Sequence, residues 1–140
     1  MGYIDSFIAV ADDCPVHAGV VPHAKPDKKK PVAVIQYELL ADAPYVYTQE
    51  DVLFQTHVRH TRIAPEEVEA RGETLREEFF ATPRACLRAS PLAKKYGWGF
   101  HFDHEGKVAL CPIESSTYRT LTTGEPGGPT VLKALRSSRA

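Results

Sequence analysis

The stretch from Trp98 to Pro112 constrains the fold more than any other part of the chain. Two short runs rich in apolar residues, Trp98 to Phe102 and Val108 to Pro112, flank Asp103-His104-Glu105-Gly106-Lys107. Gly106 can take the positive φ that a hairpin turn requires, so this pattern predicts an antiparallel β-hairpin in the C-terminal half. Tyr3 to Ala11 alternates in part and carries β-branched and aromatic residues, which predicts a further strand. Between strand and hairpin the signals are helical. Thr48-Gln49-Glu50-Asp51 places a capping hydroxyl before two acids, predicting a helix over 49–62. Pro65 followed by Glu66 and Glu67 opens another, with Val68, Leu75, Phe79 and Phe80 as its apolar anchors and Gly72 as an interruption. Val32 to Leu40 carries both a strand-like and a helix-like period; Pro31 and the run of good helix formers favour a helix. Ser90-Pro91 starts a short helix to about Tyr96, stopped by Gly97, and Ser115 or Ser116 caps a last short one to about Leu121.

These elements describe an α+β domain: a small, mainly antiparallel sheet covered by two longer helices and several short ones. At 140 residues the chain has the size of one domain and buries about 68–70% of its unfolded surface. The expected domain spans 1–122, with 12–31 as a mobile surface loop rich in proline and lysine. Residues 123–140 follow as a flexible basic C-terminal tail containing Lys133, Arg136 and Arg139, whose last part is expected to form a frayed helix.

Charge excludes several functional classes. Seventeen Lys and Arg against eighteen Asp and Glu give a net charge of −1, without the overall positive footprint of a general nucleic-acid binder. No run approaches the ~20 apolar residues of a membrane helix, and no signal core follows the N-terminus. Three cysteines, Cys14, Cys86 and Cys111, show no CxxC pairing, which fits a reducing compartment and predicts a cytoplasmic protein. Met1-Gly2 through Ser6 satisfies a loose myristoylation pattern, yet Gly2 opens onto a segment that reads as a buried strand, and no membrane partner is expected.

Three segments carry a resemblance: Gln36-Tyr37-Glu38-Leu39-Leu40, Pro44 through Val52, and Cys86-Leu87-Arg88-Ala89-Ser90-Pro91-Leu92-Ala93-Lys94-Lys95-Tyr96-Gly97-Trp98-Gly99. In these the chain resembles an uncharacterised bacterial family catalogued as a domain of unknown function, over most of its length from the first strand to about Leu121. The resemblance implies a bacterial, cytoplasmic protein. It brings no activity, cofactor or catalytic residue.

The chemistry must therefore be read from the residues. Arg88, Ser90, Lys94, Tyr96, Trp98 and His101 fall in one short stretch. The leading expectation is a small ligand-binding domain in which these residues hold an anionic metabolite at the start of the Pro91 helix, where unpaired amides and the helix dipole favour negative charge. The bland alternative is that Ser90 only caps the helix while Arg88 and Lys94 face water. A second reading is a small enzyme using His101 as acid or base near Ser90, and a third is a homo-oligomeric or partner-binding domain using Tyr45 and Tyr47. His57 and His60, three apart on a helix, point two imidazoles to one face, a metal-like spacing with only two ligands. No metal or cofactor is expected. Cys86, between Ala85 and Leu87, reads as a small buried apolar residue, and Gly97-Trp98-Gly99 as a helix-to-strand corner without a phosphate-loop register.

Overall fold

The computed structural model describes residues 2–137; Arg139 of the expected basic tail and Met1 of the acylation pattern lie outside the described residues. Four strands form one sheet in the order β3-β2-β1-β4. The hairpin pairs β2 (Trp98–Phe102) with β3 (Val108–Pro112), Phe100 opposite Leu110. β1 (Ser6–Ala9) lies antiparallel to β2 on its other side.

The fourth strand corrects the reading of the tail. Thr130–Lys133, expected within a frayed helix, forms β4 and pairs parallel to β1, Phe7 beside Val131. Val131 and Leu132 are β-formers that a seven-residue stretch of Gly, Pro, Thr and Glu isolates from helical neighbours, and an open edge of β1 gives them hydrogen-bond partners. Ala134 N and Leu135 N continue the attachment on Ala9 O and Arg88 O, each at 2.8 Å. The sheet thus draws a strand from beyond residue 122.

Helices cover both faces. α1 (Val32–Ala41) resolves the ambiguous segment as a helix, apolar nearly all round and packed between β3, α2 and the short α4 (Pro91–Lys94). A helix apolar on all sides is one enclosed by neighbours. Ile8, Phe100, Phe102 and Val108 meet Leu39, Leu40, Val52, Leu87 and Leu92 in the main core. On the opposite face Phe7, Ala9 and Cys111 are closed by Tyr118 and Leu121 of α5 (Ser116–Thr122).

α2 (Gln49–His60) begins with a complete capping box: Thr48 Oγ1 accepts from Asp51 N at 3.2 Å and Asp51 Oδ2 accepts from Thr48 N at 3.1 Å. It ends at His60, before Thr61 and Arg62 of the 49–62 expectation. Arg62 sits at φ 57, and Ile63 N reaches back to Val58 O at 3.0 Å, the pattern of a left-handed helix stop that glycine ordinarily occupies. An L-residue with a β-carbon costs about 1–2 kcal/mol there. α3 (Pro65–Phe80) packs on α2 through Phe79, Leu75 and Val68, and its backbone breaks at Arg71, one residue before the suspect Gly72.

Residues 12–31 hold no helix or strand, and hydrogen bonds fasten their middle to the rest of the fold. Trp98 Nε1 donates to Val20 O at 2.8 Å and Val20 N to Tyr96 O at 2.8 Å. Gly19 N donates to Glu114 Oε1 at 2.9 Å. Gly97, at φ 78, leaves no room for a β-carbon, which would stand 2.6 Å from Ala18 O; both the φ and the approach require glycine.

Candidate functional site

The six residues singled out from the 88–101 stretch separate in the fold. Arg88 donates from Nε to Lys133 O at 2.7 Å, fastening β4. Trp98 and Tyr96 hold the Val20 segment. Lys94 is half-buried on α4. His101 alternates with Phe100 and Phe102 along β2, so it faces the other side of the sheet, where its ring lies near Phe7 and its Nδ1 stands 2.7 Å from the Tyr45 hydroxyl. Burial lowers the His101 pKa, against a smaller upward pull from Asp103 and Asp5. The alternation of a strand therefore puts His101 and Ser90 on opposite sides of a sheet.

Ser90 is the residue of the set that reaches a cleft. Its hydroxyl donates to Gln36 Oε1 at 2.6 Å and accepts from Leu92 N at 3.2 Å, so it caps α4 and ties it to α1. α4 is only four residues long, its first residue is proline without an N–H, and the next amide is taken by the cap. Little donor capacity remains at that helix start.

Beside Ser90 opens a cleft of about 280 Å³ between α1, α2, the end of α3 and the 84–91 segment, lined by Gln36, Thr56, His57, His60, Arg84, Cys86 and Ser90 with apolar neighbours. The histidine pair read as a metal-like spacing is thus brought to the same place as Ser90. Arg84 lies over the Phe79 ring, 4.1 Å from its centroid, and its Nε donates to Phe79 O at 2.8 Å. These contacts fix the guanidinium and leave its two terminal nitrogens without a partner among the described residues. His57 stacks on the same ring, centroids 4.6 Å apart. Its pKa is lowered by burial first, then by the positive charges of Arg84 and His60.

Gln36 is buried, 4% exposed. Its carbonyl oxygen accepts from Ser90, while its amide nitrogen makes no hydrogen bond among the described residues. Thr56 turns its hydroxyl back onto Val52 O at 2.6 Å. Cys86 Sγ accepts from the Tyr3 hydroxyl at 3.2 Å; burial, with Cys86 as hydrogen-bond partner and charge, pushes the Tyr3 phenol up to about 12. Cys86 is half-buried rather than enclosed as expected. No carboxylate lines the cleft among the described residues. Its walls offer donors: Gln36 amide, Arg84 and two imidazoles.

Among the described residues no three His, Cys, Asp or Glu side chains gather as a metal site, and no helix is long and apolar enough to cross a membrane. The family profile DUF6157 matches residues 1–140. The chain belongs to this family of unknown function. Neither a curated protein nor a solved structure matches it, so DUF6157 membership fixes kinship without assigning chemistry. Gln36 and Arg84 escaped the sequence reading because their roles depend on contacts with Ser90 and Phe79, distant in the chain. The one local signal was the Arg84-Ala85-Cys86 approach to the segment whose resemblance is most extensive.

Proposed function

We propose that this protein binds a small anionic metabolite in the cleft between α1, α2 and the Ser90 segment. The observation that carries the proposal is the wall chemistry: the Gln36 amide nitrogen, which makes no hydrogen bond among the described residues, a fixed guanidinium and two imidazoles line one cleft, with no carboxylate among the described lining residues to neutralise them. A carboxylate or phosphate entering there accepts from Gln36 and Arg84 in charge-assisted hydrogen bonds. The volume, about 280 Å³, lies just below the usual range of ligand clefts, about 300–1,000 Å³, so the ligand is small. Ser90 acts as a positioning residue, holding Gln36 Oε1 so that the amide nitrogen turns to the cleft. The expected anion chemistry beside Ser90 is kept, with donors other than Arg88, Lys94 and His101. We place the protein in the bacterial cytoplasm, a setting supported by its three free thiols.

Proton linkage gives the test. Burial depresses the His57 pKa first and the charges of Arg84 and His60 add to it; an anion offsets those charges, so binding raises the His57 pKa and tightens as pH falls from 7.5 to 6. Titrating inorganic phosphate and acetate while following the His57 ring protons by NMR should show that rise. Arg84→Ala should remove it, whereas Arg88→Ala should leave it intact. An unmoved His57 resonance across both anions, or full binding by Arg84→Ala, overturns the proposal.

A second reading, a small enzyme using His101 as acid or base, is favoured by one observation: Tyr45, held at φ 58, places its hydroxyl on His101 Nδ1. Such a site would lie on the far face of the sheet, apart from the cleft.

A further inference from the structure

On the other side of α1 and α2 lies a larger groove, about 950 Å³, between the lysine run, α1, the end of α2 and the start of α3. Its floor is apolar, with Ile35 and Val58 buried and Ile63 and Val68 half-buried. Among the described residues its rim carries Lys28, Lys29, Lys30, Arg59 and Arg62 against Glu38 and Glu69. Lys30 is paired with Glu38 at 2.9 Å; the other four cations make no ion pair among the described residues. A chain of net charge −1 therefore concentrates unpaired positive charge around one apolar surface.

Arg62 adds an independent sign. It occupies the left-handed stop of α2 at φ 57, where glycine or asparagine is the ordinary choice. Strained positions of this kind are retained where the side chain has a task, and the Arg62 side chain lines the groove.

We propose that this groove binds an amphipathic organic anion, its apolar body lying on Ile35, Val58 and Val68 and its acidic group held by Arg59 and Arg62. The lysine run supplies further counter-charge. The groove approaches the upper limit of ligand clefts, about 1,000 Å³, so it takes a bulkier molecule than the Ser90 cleft. The two sites share no lining residue, and either can fail without the other.

The test uses two fluorescent probes with the same aromatic body, anionic 1-anilinonaphthalene-8-sulfonate and neutral N-phenyl-1-naphthylamine, with the full chain. The sulfonate should bind saturably at one per chain, at least tenfold more tightly than the neutral probe, and more weakly as salt screens the rim. Arg62→Gly relieves the backbone, so its melting temperature should match or exceed the parent while sulfonate affinity falls several-fold; Arg59→Ala with Arg62→Gly should fall tenfold or more. Arg84→Ala should leave this affinity unchanged, and its loss there would move the probe to the smaller cleft and overturn the proposal. Equal affinity for the two probes, or undiminished affinity in Arg62→Gly, also overturns it. So does a dimer in sedimentation that the double arginine variant dissolves, since a second copy would then fill the groove.

Discussion

Replacing Ser90 by alanine removes one hydroxyl and two hydrogen bonds, one that caps α4 and one that joins it to α1. The first is a helix cap, Leu92 N to Ser90 Oγ at 3.2 Å; losing such a cap costs about 1 kcal/mol. The second is Ser90 Oγ to Gln36 Oε1 at 2.6 Å. Gln36 is 4% and Ser90 5% exposed, so the abandoned carbonyl oxygen stays out of water, at a cost of about 1–3 kcal/mol. Together these predict a loss of about 2–4 kcal/mol. Urea unfolding should show it as a lower midpoint with an unchanged slope, since the surface exposed on unfolding does not change. The companion variant Gln36→Leu removes the stranded acceptor, and Ser90→Ala in that background should cost only the cap, about 1 kcal/mol. A loss below 1 kcal/mol in the parent background, or costs that add without coupling, would refute the strut. Phosphate binding separates structure from site: Ser90→Ala should weaken it by freeing the Gln36 amide to rotate, even where the fold persists.

Four further outcomes follow from the same contacts. Thr48→Ala should cost about 1 kcal/mol by denaturant melt and leave phosphate binding intact; lost binding without lost stability would make Thr48 a site residue. A chain ending at Thr122 should unfold at markedly lower temperature or aggregate, because it strips β4 from β1 and opens an edge; a melt like that of the full chain would show that β4 adds nothing. Burial holds the folded pKa values of both His57 and His101 below 6.5, so the unfolded chain binds more protons there. Stability should therefore fall as pH drops through about 6.5 and level off once the folded values are passed; a rise over that window would reverse the assignment, and phosphate should blunt the fall. Chelator should leave the melting temperature unmoved; a drop restored by zinc would promote His57 and His60 to ligands.

Short-range chemistry was legible from the sequence. Thr48, Pro65, Ser90 and Ser115 each start the helix they announce, because a cap hydroxyl or a fixed φ acts within three residues. The Gly106 hairpin is equally local, and the strand period already implied that His101 points away from Phe100 and Phe102. The histidine pair and Ser90 were each visible as chemistry, but not as neighbours. What the tertiary structure decided is everything that depends on which distant segment arrives. Val131 and Leu132 became a strand only because β1, more than 120 positions away in the chain, offered an unpaired edge. Arg88 was drawn to Lys133 O by that same strand and so taken away from the cleft beside Ser90. Gln36 and Arg84 came to line that cleft through Ser90 and the Phe79 ring. A cap is satisfied by the residues beside it; a buried amide or a strand edge is satisfied by whatever the packed core brings within 3 Å, and local sequence does not encode that partner.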